Sequence, residues 1–128
     1  MREFIVTLHL LTFFQVVITG SVATVWGIIA WRRGGITDGF RSILYLTAGT
    51  GLMQALLGII LFLSGCRPAD VLHLVYGLIV AVAVPVAFTY ASEDLNKRDM
   101  AVLAIASFAI VAAALRGAAT GIGGYCPR

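Results

Sequence analysis

Four stretches of this chain carry no Asp, Glu, Lys or Arg: Phe4 to Trp31, Ser42 to Cys66, Val71 to Ser92 and Met100 to Leu115. A helix crosses the hydrocarbon core of a bilayer with about 20 predominantly apolar residues, and a short one with about 17. Every backbone amide must be paired inside the bilayer, which favours four complete helices over irregular embedded segments. The last stretch is the shortest. It extends past Arg116, whose long side chain can snorkel to the interface, into Gly117–Thr120. The spans expected are 4–31, 40–64, 69–91 and 100–119, forming one all-α, integral membrane four-helix bundle over residues 1–128. With 60% hydrophobic and 12% charged residues in the full chain, the composition lies far from the roughly 45–50% apolar content of a soluble domain.

The charges sit in short loops. Arg32, Arg33, Arg41, Lys97 and Arg98 follow helices one and three, whereas Arg2, Arg67, Arg116 and Arg128 lie on the opposite side. Five against four favours both termini outside under the positive-inside rule. The formal charge of +3 is explained by these loops and suggests no nucleic-acid partner. The first apolar run is too long for the core of a signal peptide and is expected to be a retained helix.

The chain has only two cysteines. Cys66 lies between helices two and three and Cys126 lies beyond helix four, so an even number of crossings puts both on one face. On an oxidising outer face they can form a disulfide. Two unrelated free thiols are the alternative, because the spacing does not show that the two can meet.

Each histidine falls near the outer end of a helix, His9 in helix one and His73 in helix three. Ionisable residues in spanning helices are costly, and bundles build cofactor sites from facing helices. Without a third histidine, a carboxylate or a cysteine close by, the pair is a poor zinc site. It is a good set of axial ligands for a b-type haem. Phe13, Val16 and Gly20 share the helical face of His9. Phe13, Gly20, Gly49, Gly51 and Gly77 offer apolar walls and space for a flat group, with Arg67 and Arg116 on the correct side for its carboxylates. Alternatively, each histidine bonds a backbone carbonyl in a packed interior. Gln54 has Gly51 and Gly58 beside it and is expected to bond across to a neighbouring helix. Pro68 and Asp70 fit the first turn of helix three, and Pro85 is expected to kink it.

Several of these features together resemble one four-helix half of the haem A synthase family. They are His9 near the outer start of a helix ending in Trp31-Arg32-Arg33, Gln54-Ala55-Leu56-Leu57-Gly58 in the next helix, and His73 in the third. Arg116-Gly117-Ala118-Ala119-Thr120-Gly121-Ile122-Gly123-Gly124-Tyr125-Cys126-Pro127 is similar to the segment that opens the family's second half. The resemblance implies haem held by paired histidines, with a homodimer as one way to rebuild an eight-helix arrangement. The family's first histidine follows a glutamate by three positions and precedes an arginine. Here those positions are Val6 and Leu10, so the carboxylate associated with oxidation of the haem methyl is missing.

These features lead to an expected small cytochrome in a bacterial or archaeal plasma membrane, exchanging electrons with a quinone or a redox protein. The alternative is a cofactor-free accessory or assembly subunit of a larger membrane complex. A haem A synthase-like enzyme is disfavoured by Val6. A multidrug-type transporter is disfavoured because no carboxylate lies within a span. Whether any reaction is catalysed is left open.

Overall fold

A computed structural model describes residues 1–35 and 37–127. Arg128, counted above among the outer charges, lies outside the described residues. The four helices are α1 (Arg2–Arg33), α2 (Asp38–Leu63), α3 (Leu72–Tyr90) and α4 (Lys97–Gly121). All four are long and apolar enough to cross a membrane.

Local chemistry sets the helix ends at the loop side between α1 and α2. Gly34, at φ 73°, closes α1 in the left-handed conformation that glycine adopts without a Cβ clash, and its N–H reaches the carbonyl of Ala30. The Thr37 hydroxyl accepts from the N–H of Phe40 and caps α2. Reciprocal Asn96 and Asp99 bonds form a capping box that starts α4 at Lys97, three residues earlier than expected from hydropathy alone.

Helix α3 starts later than expected, at Leu72. Pro68 lies outside it, in a non-helical segment: Arg67 forms an antiparallel bridge with Tyr125, and the N–H of Asp70 donates to the carbonyl of Thr120 at 3.1 Å. Those long-range bonds hold the chain out of the helical conformation. The Asp70 carboxylate still acts at this end, accepting from the N–H of Leu72 at 2.9 Å. Pro85 stands inside the helix, which continues through it.

Around the bundle, α1 packs on α2 and α4, and α3 packs on the same two helices. Helices α1 and α3 therefore occupy opposite corners. The most enclosed helix is α4, with half of its apolar window buried against about a fifth for the others. Its alanines let neighbours approach closely. A Cβ on Gly20 would come within 2.8 Å of Val111, and one on Gly27 within 2.8 Å of Ala104.

The core has two apolar layers. Phe40, Leu44, Ala87, Met100 and Leu103 fill the end near the α1–α2 and α3–α4 loops. Val16, Val80, Val84, Ile110, Ala113 and Ala114 fill the middle. Large apolar side chains including Phe14, Ile18, Leu52, Leu56, Leu78, Ile105 and Phe108 face outward. An apolar exterior over an apolar interior is the arrangement expected of helices solvated by lipid. Met1 and Pro127 lie at the remaining end, where the Arg2 guanidinium donates to the carbonyl of Pro127.

Candidate functional site

The end of the bundle that carries Met1 and Pro127 differs from the two apolar layers: it contains both histidines. His9 extends from α1 and His73 from α3, across the diagonal of the bundle. Their ring centroids are 6.2 Å apart and their planes are inclined by 60°. His73 is the second residue of α3, so it sits closer to the helix start than a full turn.

His73 is tightly held. Its Nδ1–H donates to the carbonyl of Gly117 on α4 at 2.7 Å, which leaves the Nε2 lone pair available. Its backbone N–H donates to the carbonyl of Asp70 at 3.1 Å. Gly121 lies one helical turn beyond Gly117, where a Cβ would come within 2.8 Å of the ring.

His9 is held differently. Gln54 on α2 accepts a hydrogen bond from the Thr12 hydroxyl through Oε1, which turns its amide nitrogen toward the His9 ring. That nitrogen stands 3.5 Å from His9 Nε2 and donates to it when the ring carries its proton on Nδ1. His9 Nδ1 is buried and has no partner among the described residues. Gly58, one turn from Gln54, backs the ring; a Cβ there would lie 3.2 Å from Cε1.

Above the rings, the loop between α2 and α3 and the segment after α4 close over this end. Cys66 and Cys126 are joined in a disulfide that spans 60 positions of the chain. Beside it, Arg67 and Tyr125 exchange backbone bonds of 2.7 and 2.8 Å. Gly123, at φ 86°, turns the chain into this pairing. A cleft of about 580 Å³ opens at the same end, bounded by Arg2, Glu3, Val6, Thr7, Cys126 and Pro127. Val6 lies one turn before His9.

The remaining sequence candidates have other neighbours. Gly20 and Gly51 are buried packing positions, the first against Val111 and the second against the carbonyl of Val80, where a Cβ would come within 2.5 Å. A Cβ on Gly49 or Gly77 would meet nothing within 4 Å. Phe13 is half-buried, packs against the middle core layer and stacks edge-on with Phe14. The Arg67 guanidinium donates to the carbonyls of Phe62 and Cys66 at 2.8 and 2.9 Å and rests 4.2 Å over the Phe62 ring. Arg116 is exposed on α4, next to Gly117.

Sequence reasoning does not single out as site residues four groups that touch the histidines: Gln54 through its amide, the Gly117 carbonyl, Gly58 and Gly121. A usable signal is present. Gln54 and Gly58 are four apart on α2, as Gly117 and Gly121 are on α4, and that spacing lines up one face of a helix. Among the described residues, no group of three or more His, Cys, Asp or Glu side chains gathers here or elsewhere to hold a metal ion. The arrangement offers two opposed imidazoles in an apolar bundle under a disulfide-tied cover. Comparison with known proteins finds no matching protein-family model, no matching curated protein and no matching solved structure.

Proposed function

We propose that the chain is a small membrane cytochrome that holds one b-type haem between His9 and His73 and exchanges electrons with a quinone or a redox protein. The opposed pair of rings carries this reading. Metal–imidazole nitrogen bonds are about 2 Å long, so rings with centroids about 6 Å apart would leave room for one metal atom between them. The observed separation is 6.2 Å.

The donor set suits the group. Two neutral imidazoles would hold a haem iron, and a ligating histidine usually donates its other N–H to a carbonyl or carboxylate, as His73 does to Gly117. Gly58 and Gly121 place no Cβ against the rings. Val16, Val80, Val84 and Ile110 form the dry layer beneath. Arg116, exposed beside Gly117, and Arg67, on the covering loop, are the cations for haem carboxylates in this proposal. Bound haem supplies a one-electron iron couple. The chain's own task is then to hold, orient and shield, with no acid or base required of it.

Resemblance to one half of a haem A synthase points to the same cofactor. The synthase reaction is outside the proposal because Val6, which lines the cleft, occupies the carboxylate position. Loop charges and the disulfide together favour an outer location for the site, in a bacterial or archaeal plasma membrane, with the chain alone, paired with a second copy, or in a larger complex.

One observation favours a second reading, a cofactor-free accessory or assembly subunit. His73 and His9 each meet a polar group of a neighbouring helix, the Gly117 carbonyl and the Gln54 amide, and interhelical bonds of this kind stabilise membrane bundles. Visible spectra of the purified protein, oxidised and then reduced with dithionite, separate the two. The cytochrome reading expects sharp α and β bands in the reduced protein that disappear in His9→Ala and His73→Ala as six-coordinate species. A wild-type protein that stays colourless after haem is added leaves the accessory reading in place.

A further inference from the structure

The two histidines are built into the bundle unequally. His73 has its Nδ1–H committed to Gly117 at 2.7 Å and its backbone N–H to Asp70 at 3.1 Å. The segment leading into it is fixed by the Arg67–Tyr125 bridge and by the disulfide next to it. His9 has a buried Nδ1 with no partner among the described residues, so no hydrogen bond at its far nitrogen raises its basicity, and the ring is placed only by Gly58 behind it and by the Gln54 amide at Nε2. A hydrogen bond to the far side of a ligating ring is worth about 10–100-fold in metal affinity.

Gln54 adds a second asymmetry. Its amide, steered by Thr12, stands 3.5 Å from His9 Nε2, the nitrogen that a metal would take. A His9 ring detached from iron therefore has a hydrogen-bond donor waiting for it. His73 has no such alternative among the described residues, since the hydrogen bond of its ring uses Nδ1. The cleft at this end also opens along α1, at Val6 and Thr7, on the His9 side of the bundle.

We infer that His73 is the fixed ligand and His9 the exchangeable one, so that the site accepts a small neutral ligand of the carbon monoxide class in place of His9. This rests on the haem reading above. With haem bound, His73 would stay fixed by Gly117, while His9 Nε2 would give up its place to the incoming ligand and accept from the Gln54 amide. No electron or proton changes hands.

The test uses the full chain loaded with haem, reduced with dithionite and titrated with carbon monoxide, alongside His9→Ala, His73→Ala and Gln54→Leu. The wild type should convert to a carbon monoxide form. His9→Ala should keep its haem at least about 10-fold more tightly than His73→Ala, and its carbon monoxide spectrum should match that of the wild type. Gln54→Leu should weaken carbon monoxide binding by about 2- to 10-fold, the worth of one hydrogen bond to the displaced ring. A haem-loaded wild type that ignores carbon monoxide, or a His9→Ala variant that loses haem as fully as His73→Ala, overturns the inequality while the bis-histidine site stands. A wild type that takes up no haem overturns both.

Discussion

His73 donates its Nδ1–H to the carbonyl of Gly117 at 2.7 Å, and that same carbonyl accepts the Thr120 hydroxyl at 3.0 Å. One backbone oxygen on α4 thus fixes the orientation of a side chain on α3. A second glycine makes this contact possible, because Gly121 leaves the ring the room that a methyl group would take.

Gly121→Ala tests that contact. Its Cβ would lie 2.8 Å from His73 Nδ1, so the ring must shift. Overpacking of this kind costs about 1–3 kcal/mol. Gly77→Ala is the control, because a Cβ there meets nothing within 4 Å and alanine favours a helix over glycine by about 0.5–1 kcal/mol. Thermal unfolding in detergent should show a lower midpoint for Gly121→Ala and an unchanged or higher one for Gly77→Ala. Equal midpoints would contradict the assignment of the two glycines.

Reduction of the Cys66–Cys126 bond should loosen the cover without dismantling the bundle. The bond closes a loop of 60 positions, for which chain entropy gives an upper bound of about 4 kcal/mol. The helices remain apolar enough to stay in the bilayer. Cys126→Ser should therefore keep its far-ultraviolet circular dichroism while becoming sensitive to protease after Gly121, as read by mass spectrometry of the released peptide. Loss of helicity with the bond would show that the disulfide holds the bundle itself.

At the opposite end, Asn96→Ala removes the side chain that accepts from the Asp99 N–H at 3.0 Å. Loss of an N-cap costs about 0.5–2 kcal/mol. Reversible unfolding should report a loss in that range, and Asn96→Ser should recover most of it. The circular dichroism of both variants should match the wild type, since α4 beyond its first turn is held by α1 and α3.

Much of this architecture can be read directly from residues. The four charge-free runs correspond to the four helices, and the parity of crossings places Cys66 and Cys126 at one end, where they meet. Local patterns miss what distant segments impose. Pro68 has the right character for a helix start, but Tyr125 and Thr120 return from the far end of the chain to bond Arg67 and Asp70 on either side of it. Glycine spacing likewise identifies a face without naming the helix that covers it. Gly20 and Gly51 face neighbouring backbones and side chains, whereas Gly58 and Gly121 face the imidazoles. Matched depth suggests that His9 and His73 oppose one another, but the unequal support of their rings depends on Gln54 and Gly117, from two other helices.

In the proposed cytochrome, His9 and His73 would together ligate one iron atom. Low-temperature electron paramagnetic resonance of the oxidised, haem-loaded protein examines this coordination directly. The account predicts a low-spin ferric signal of the bis-imidazole type in the wild type, converted to high-spin in His9→Ala and restored to low-spin when free imidazole is added. A high-spin wild type, or a low-spin signal that survives in both His9→Ala and His73→Ala, would contradict it.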